Sequence, residues 1–375
     1  MRVCLVAFLF LFFNCEQQQL AEDPIEAALD SENSSISKVI DQAEQYEVQI
    51  MLSTINRKGE SIFFNDYQYA VNDSVYFYPA STVKFPIAVL ALEKVNSMAD
   101  ISSETIYVLE SDSVKHTIRD DIRQIFAVSD NEAYNRLYEF LGRDYINSKL
   151  REKGISPVRI SHRLSVPNSN YPVTKPISFW ENDTIIYIQD SISNNPVESI
   201  KLKKQTKGVG FYEDSILVQQ PMVFSEKNYL PITALHKLMK RVIFPEAFPE
   251  NETFDLNGED RTFLLNSMKA LPRESGYNPE EFYDSYGKFF IFGDNKDPIP
   301  SNFEIYNKVG YAYGYLTDVA YIKDTDADIE YVLTATIHVN ENGIFNDDTY
   351  EYDSIGIPFL ANLGREIHQQ LINLK

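Results

Sequence analysis

Cysteine is almost missing from this chain. Cys4 and Cys15 are the only two in 375 residues. Without a cysteine beyond position 15, no disulfide framework and no cysteine metal site can form in the rest of the chain. Histidine is scarce too. The five (His116, His162, His236, His338, His368) are scattered without ligand spacing, so neither a metal nor any other cofactor is expected. Positive charge is in short supply, with 34 Lys and Arg against 55 Asp and Glu, a net charge of −21. Phosphate backbones would be repelled, which argues against a nucleic-acid partner. Of the whole chain, 44% is apolar and 24% charged, ordinary for a soluble globular protein with a sizeable core.

The N-terminal apolar run, Val3 to Phe13, is too short to span a bilayer as a stable helix. It follows Met1-Arg2 and ends at Phe12-Phe13-Asn14-Cys15, which reads as an export signal, residues 1–15. The segment resembles a bacterial lipoprotein signal with Cys15 as the lipidated residue, although Asn14 stands where a small residue is usual. The alternative is a plain secretory signal cut nearby. Either implies the cell envelope or periplasm, with membrane contact only through a lipid anchor. Residues 16–36 are polar and acidic and read as a flexible tether.

Beyond the tether, residues 37–375 read as one domain without internal repeats, expected to act as a monomer. Tyr46–Ile55 and Ser61–Tyr67 are strand-like and joined by a hairpin signal at Arg57-Lys58-Gly59. Val75–Tyr78 reads as a short strand. The middle, from Thr117 to Lys153, is helical. Glu304–Ile322 and Glu330–Val339 read as strands before a closing amphipathic helix, Ile357–Leu374. The expected fold is therefore α/β of the α+β kind: an antiparallel sheet flanked by helices and built from both chain ends, plus an all-helical middle domain. Residues 161–229 fit neither part. Asp183–Gln189, Glu198–Gln205 and Gly210–Val218 are strand-like, so the segment reads as a β-rich insertion.

Three short motifs carry chemistry. Ser81-Thr82-Val83-Lys84 heads an apolar run, Phe85 to Leu92. Serine and lysine three apart on a helix share a face. If the helix is buried, the ammonium loses water, its pKa falls, and a neutral lysine can take the serine proton. Ser-x-x-Lys recurs at Ser35/Lys38 and Ser285/Lys288, but only Ser81 enters a core helix. Ser129-Asp130-Asn131 lies between two helical patterns and could equally be a plain helix cap. Lys308-Val309-Gly310 sits inside a strand-like run.

Together, in this order, these residues form the signature of the penicillin-recognising serine hydrolases, and the chain resembles their class A β-lactamase-like branch. The likeness continues through Tyr311 to Thr317-Asp318-Val319-Ala320. It implies a small-molecule or peptide-like substrate and acyl transfer. Ser81 would be the nucleophile, Lys84 its base or the holder of the base, and Ser129 the proton donor to the leaving nitrogen. Asn131, Lys308, Gly310 and Tyr311 would bind substrate. Lys308 would face a substrate carboxylate, and the backbone N–H groups of Ser81 and Tyr311 would hold the oxyanion.

Two departures stand out. Val309 occupies the position where the family usually has a hydroxyl, a loss of about 1 kcal/mol of recognition. The family's Ω-loop glutamate is missing from the corresponding stretch, Arg159 to Asn168. His162 is either a substitute deacylation base or a hydrogen-bonded histidine beside Arg163. The resemblance thus favours β-lactam hydrolysis or binding, with a D-alanyl-D-alanine-type peptidase or an esterase as the enzymatic alternative. An exported binding protein without turnover is a third reading.

Overall fold

The computed structural model describes residues 23–110 and 112–375. The signal segment with Cys15, and tether residues 16–22, lie outside the described residues.

Strands Gln49–Lys58 and Ser61–Tyr69 form the expected hairpin, turning through Gly59 at φ 62°. Phe303–Ala312, Tyr315–Asp324 and Ile329–His338 form an antiparallel meander. Gln49–Lys58 pairs with Ile329–His338, setting Leu52 opposite Leu333 and closing one five-stranded sheet from both chain ends. Phe303–Ala312 is an edge strand of this sheet. Strand Tyr315–Asp324 is buried at every position but Lys323, because helices cover both faces.

One face packs on the closing helix, Ile357–Asn373, through Phe359, Leu363, Ile367 and Leu371. The flexible reading of residues 16–36 fails over its described part. Pro24–Leu29 and Ser34–Ile40 are helices that lie on the closing helix. Asp23 and Asn33 cap them, and Ile25, Ala28, Leu29, Ile36 and Val39 enter the core. Each of the Ile, Leu and Val side chains contributes about 1.5–3 kcal/mol if fully buried.

The other face packs on helix Ile232–Ile243 and the middle of the chain. Helix Lys84–Asn96 runs through this second core with ten residues buried, Lys84 among them. Pro86 falls in its first turn, where its missing N–H has no helical partner to lose. Around it lie helices Ile118–Val128, Asn131–Leu141 and Arg143–Glu152. Residues 117–153 are helical as expected, and a small sheet lies outside that range. Strand Ile106–Leu109 pairs with Ile177–Glu181, which pairs with Thr184–Gln189.

Between 161 and 229 the chain is β-rich in short pieces. Gly210–Glu213 and Ile216–Val218 form a hairpin, and Thr206–Lys207 pairs with Met222–Val223. Glu198–Gln205 and Val75–Tyr78, expected as strands, meet only at a single Val75–Lys203 bridge. Tyr76, Phe77 and Tyr78 instead bury their rings among Phe224, Tyr229, Tyr313 and Tyr315.

Candidate active site

Ser81 lies in a single 3-10 turn, Ala80–Val83, that feeds directly into the buried helix. Ala80 before it adopts φ 46°, a left-handed conformation unusual for a residue with a Cβ, and is itself buried. The following helix carries Lys84 beneath Ser81, with Nζ 3.0 Å from Ser81 Oγ. Lys84 is fully buried, and burial lowers its pKa to about 7, with Asp130 opposing weakly.

Helix Ile118–Val128 ends on Ser129 at φ 59°. That left-handed residue turns both its carbonyl and its hydroxyl to Lys84. Nζ donates to the carbonyl in a short bond and lies 3.2 Å from the hydroxyl. Asp130 caps the next helix by accepting from Ala133 N, and Asn131 Oδ1 accepts from Lys84 Nζ at 2.7 Å. So the cap reading of this tripeptide is true of Asp130, while Ser129 and Asn131 serve the lysine.

The edge strand brings the remaining group. Lys308 Nζ donates to Ser129 Oγ at 2.8 Å and to Val309 O at 2.9 Å. Burial, and then the neighbouring Lys84, push its pKa well below the usual lysine value. The strand can come this close because residue 310 is glycine. A Cβ there would lie 2.6 Å from Pro79 O and 2.8 Å from Ser81 N. Behind the strand, Lys288 of the third Ser-x-x-Lys is buried too, but it donates to Ile305 O and Asn307 Oδ1, not to a serine.

Ser81 and Asn131 open on a cavity of about 660 Å³, lined also by Tyr78, Tyr311, Tyr313 and residues 162–167. Tyr311 is half exposed there, at 49%. The 162–167 stretch is held by one face of helix Asn131–Leu141. Tyr134 donates to His162 O at 3.0 Å, Asn135 exchanges two bonds with Leu164, and Glu139 pairs with Arg163 at 2.6 Å. Asn131 Nδ2 donates to Ser165 Oγ at 2.9 Å. The sequence reading missed Asn135, Glu139 and Ser165. The polar i, i+4, i+8 spacing of 131, 135 and 139 on a largely buried helix was the signal available.

His162 stacks on Tyr78, with ring centroids 6.4 Å apart. Its Nδ1 faces Arg163 O at 2.6 Å, so Nδ1 carries the hydrogen and Nε2 the lone pair. Nε2 is buried without a partner, and burial lowers the pKa to about 4. Among the described residues no group of three or more His, Cys, Asp or Glu is placed to hold a metal ion.

Residues 33–184 match the model of the Beta-lactamase enzyme family. The β-lactamase from Sphaerobacter thermophilus superimposes with a TM-score of 0.52 at 15% identity, covering 94% of this chain and 97% of its own. A β-lactamase from Burkholderia ambifaria gives 0.52 at 13%, covering 90% and 98%. The chain has a β-lactamase-like fold. A class A β-lactamase from Mycobacterium abscessus adds a third likeness, with a TM-score of 0.50 at 14% identity over 90% of this chain and 99% of its own. No curated protein matches this β-lactamase-like chain.

Proposed function

We propose that this β-lactamase-like protein is a serine hydrolase that forms an acyl-enzyme at Ser81, acting on a β-lactam or related amide. One observation carries the reading: a buried lysine with its pKa near 7 sits 3.0 Å from a serine hydroxyl at the floor of a cavity. Neutral Lys84 takes the proton as Ser81 Oγ bonds to the substrate carbonyl carbon. The carbonyl oxygen becomes an oxyanion facing the N–H groups of Ser81 and Tyr311, each such donor being worth about 10²–10³ in rate. Ser129 Oγ gives its proton to the leaving nitrogen as the C–N bond breaks. It regains one from the ammonium groups around it, Lys84 at 3.2 Å and Lys308 at 2.8 Å.

A second reading, a peptidase or esterase with slow release from penicillin, is favoured by the 159–168 stretch, which contains no carboxylate. Water would then lack a base beside the ester. Incubation with a fluorescent penicillin, followed on a denaturing gel beside Ser81→Ala, separates the two. Transient labelling with loss of the antibiotic supports a lactamase, and durable labelling supports the second reading. Absence of any Ser81-dependent label would refute acylation by penicillin. The Met1–Cys15 segment supports an exported, envelope-held enzyme, tested by radiolabelled palmitate incorporation in Cys15→Ala.

A further inference from the structure

A second cavity, of about 430 Å³, lies between helix Arg143–Glu152, the Val158–Arg159 segment and residues 195–198 of the insertion. It shares no lining residue with the cavity in front of Ser81. Its size is within the range of small-molecule sites.

Among the described residues four arginines are buried: Arg143, Arg159, Arg163 and Arg241. Arg163 pairs with Glu139, and Arg241 pairs with Glu252. Arg143 and Arg159, 5% and 2% exposed, both line this cavity and are met only by backbone carbonyls. Arg143 Nη2 donates to Asn195 O in a short bond, Nη1 lies 3.4 Å from Ser161 O, and Nε is buried without a partner. Arg159 Nε donates to Lys227 O at 3.0 Å, and its Nη atoms lie 3.5 Å from Glu198 O and Phe224 O. Both guanidinium heads thus reach the wall made by residues 195–198.

The two carboxylates of the cavity are engaged elsewhere. Asp144 accepts from Asn195 N and Nδ2 at 2.8 and 2.7 Å, and Glu198 pairs with Arg151 at 2.8 Å. Carbonyl dipoles satisfy donors but cancel no charge, and a buried cation without a counter-ion is costly. With 55 acidic residues in the chain, two such cations still share one cavity. A bound anion would remove that cost. Two charges call for a dianion, and a guanidinium fork fits the oxygens of a phosphate, which carries nearly two charges at neutral pH.

We propose that this cavity binds a phosphate-class dianion, inorganic phosphate or a small phosphate monoester, through Arg143 and Arg159 together. The site is independent of acyl transfer at Ser81.

The test titrates the full chain calorimetrically with inorganic phosphate, with sn-glycerol 3-phosphate, and with chloride at matched ionic strength. Phosphate or the monoester should bind with a Kd below about 1 mM, and chloride should not bind. Whichever binds more tightly identifies the source of the phosphate group. Arg143→Gln and Arg159→Gln should each weaken binding at least about tenfold. Should either variant fail to fold, Val197→Trp keeps both arginines, fills the cavity from the 195–198 wall and should abolish binding. No binding of either phosphate up to about 10 mM, an equal response to chloride, or phosphate affinity unchanged in Val197→Trp would each overturn the proposal.

Discussion

Lys84 and Lys308 reach the same atom: their ammonium nitrogens lie 3.2 and 2.8 Å from Ser129 Oγ. Burial disfavours the charged form of both, and the neighbouring Lys84 lowers Lys308 further, so both lysines are held below their ordinary pKa. Only neutral Lys84 can take the Ser81 proton. Acylation measured as kcat/KM should therefore rise with pH through an acid limb near 7. Lys84→Arg stays protonated and should lose about 10²–10⁴ of that rate. A rate that is flat from pH 5.5 to 8.5 would rule out Lys84 as the base.

Gly310 lets the edge strand touch the nucleophile turn. In Gly310→Ala the new Cβ would meet three backbone atoms, Pro79 O, Ser81 N and Thr82 N, at 2.6, 2.8 and 2.9 Å. Backbone cannot step aside as a side chain can, so the strand must move away from Ser81. We expect acylation to fall by more than about tenfold, with overpacking costing about 1–3 kcal/mol of stability. Stopped-flow acylation and urea melts check both, and an unaltered acylation rate would count against the close approach.

Glu139 and Arg163 form a two-point ion pair with both side chains under 10% exposed, at 5% and 9%. The carboxylate also accepts from Lys175 N at 2.9 Å. Removing one partner strands the other charge, so Glu139→Ala should cost about 3–5 kcal/mol. The same change frees the 162–167 cavity wall, and proteolytic nicking there should appear before global unfolding. A urea midpoint equal to wild type would refute the pair's role.

The serine and lysine of the nucleophile turn were legible because their spacing is local, and a helix fixes the geometry of residues three apart. Ser129 and Lys308 were legible only as a set, since nothing local brings residue 129 to residue 308. The clamp on residues 162–167 was not read, because Asn135 and Glu139 look like solvent-facing helix residues until the partner stretch is seen to fold over them. The helices at 24–29 and 34–40 were lost to composition. Polar residues outnumber apolar ones over residues 16–36 as a whole, yet Ile25, Ala28 and Leu29 keep the i, i+3, i+4 spacing of a core-facing stripe. Val75–Tyr78 misled in the opposite sense. Its aromatic content fits a strand, but those rings are used for packing against Phe224 and Tyr229.

His162 should not be the base for release of the acyl group. Its Nε2 has no contact with solvent and its ring lies under Tyr78, so no water can reach the lone pair while that packing holds. His162→Asn should leave the lifetime of the penicilloyl-enzyme within about threefold of wild type. By contrast Ser165, which touches Asn131, stands where a carboxylate would reach the Lys84 network. Ser165→Glu should shorten that lifetime, read by mass spectrometry of the intact adduct. A strong effect of His162→Asn with none from Ser165→Glu would reverse this assignment.

A second polar cluster sets the acid stability. His236 is buried beneath the sheet, with Nε2 2.7 Å from Ser53 Oγ and Nδ1 2.9 Å from Thr334 Oγ1. Ser53 also donates to Asp66, which Lys240 pairs at 2.8 Å. The hydroxyl stands between carboxylate and imidazole, and both Ser53 and His236 are sealed from solvent, so this is not a hydrolytic triad. Burial, and then Lys240, lower the His236 pKa to about 3. Between pH 6.5 and 3 the unfolded chain binds a proton at this site that the native chain does not. Stability must then fall as the pH drops, by up to about 1.4 kcal/mol per pH unit for this one proton. Asp121 and Asp318, raised to about 6 by burial, act in the opposite direction, but equally in wild type and variant. His236→Gln should be the less stable protein at pH 7 and should close the gap as the pH approaches 4. Parallel losses in urea melts across that range would show that the imidazole does not titrate as its burial demands.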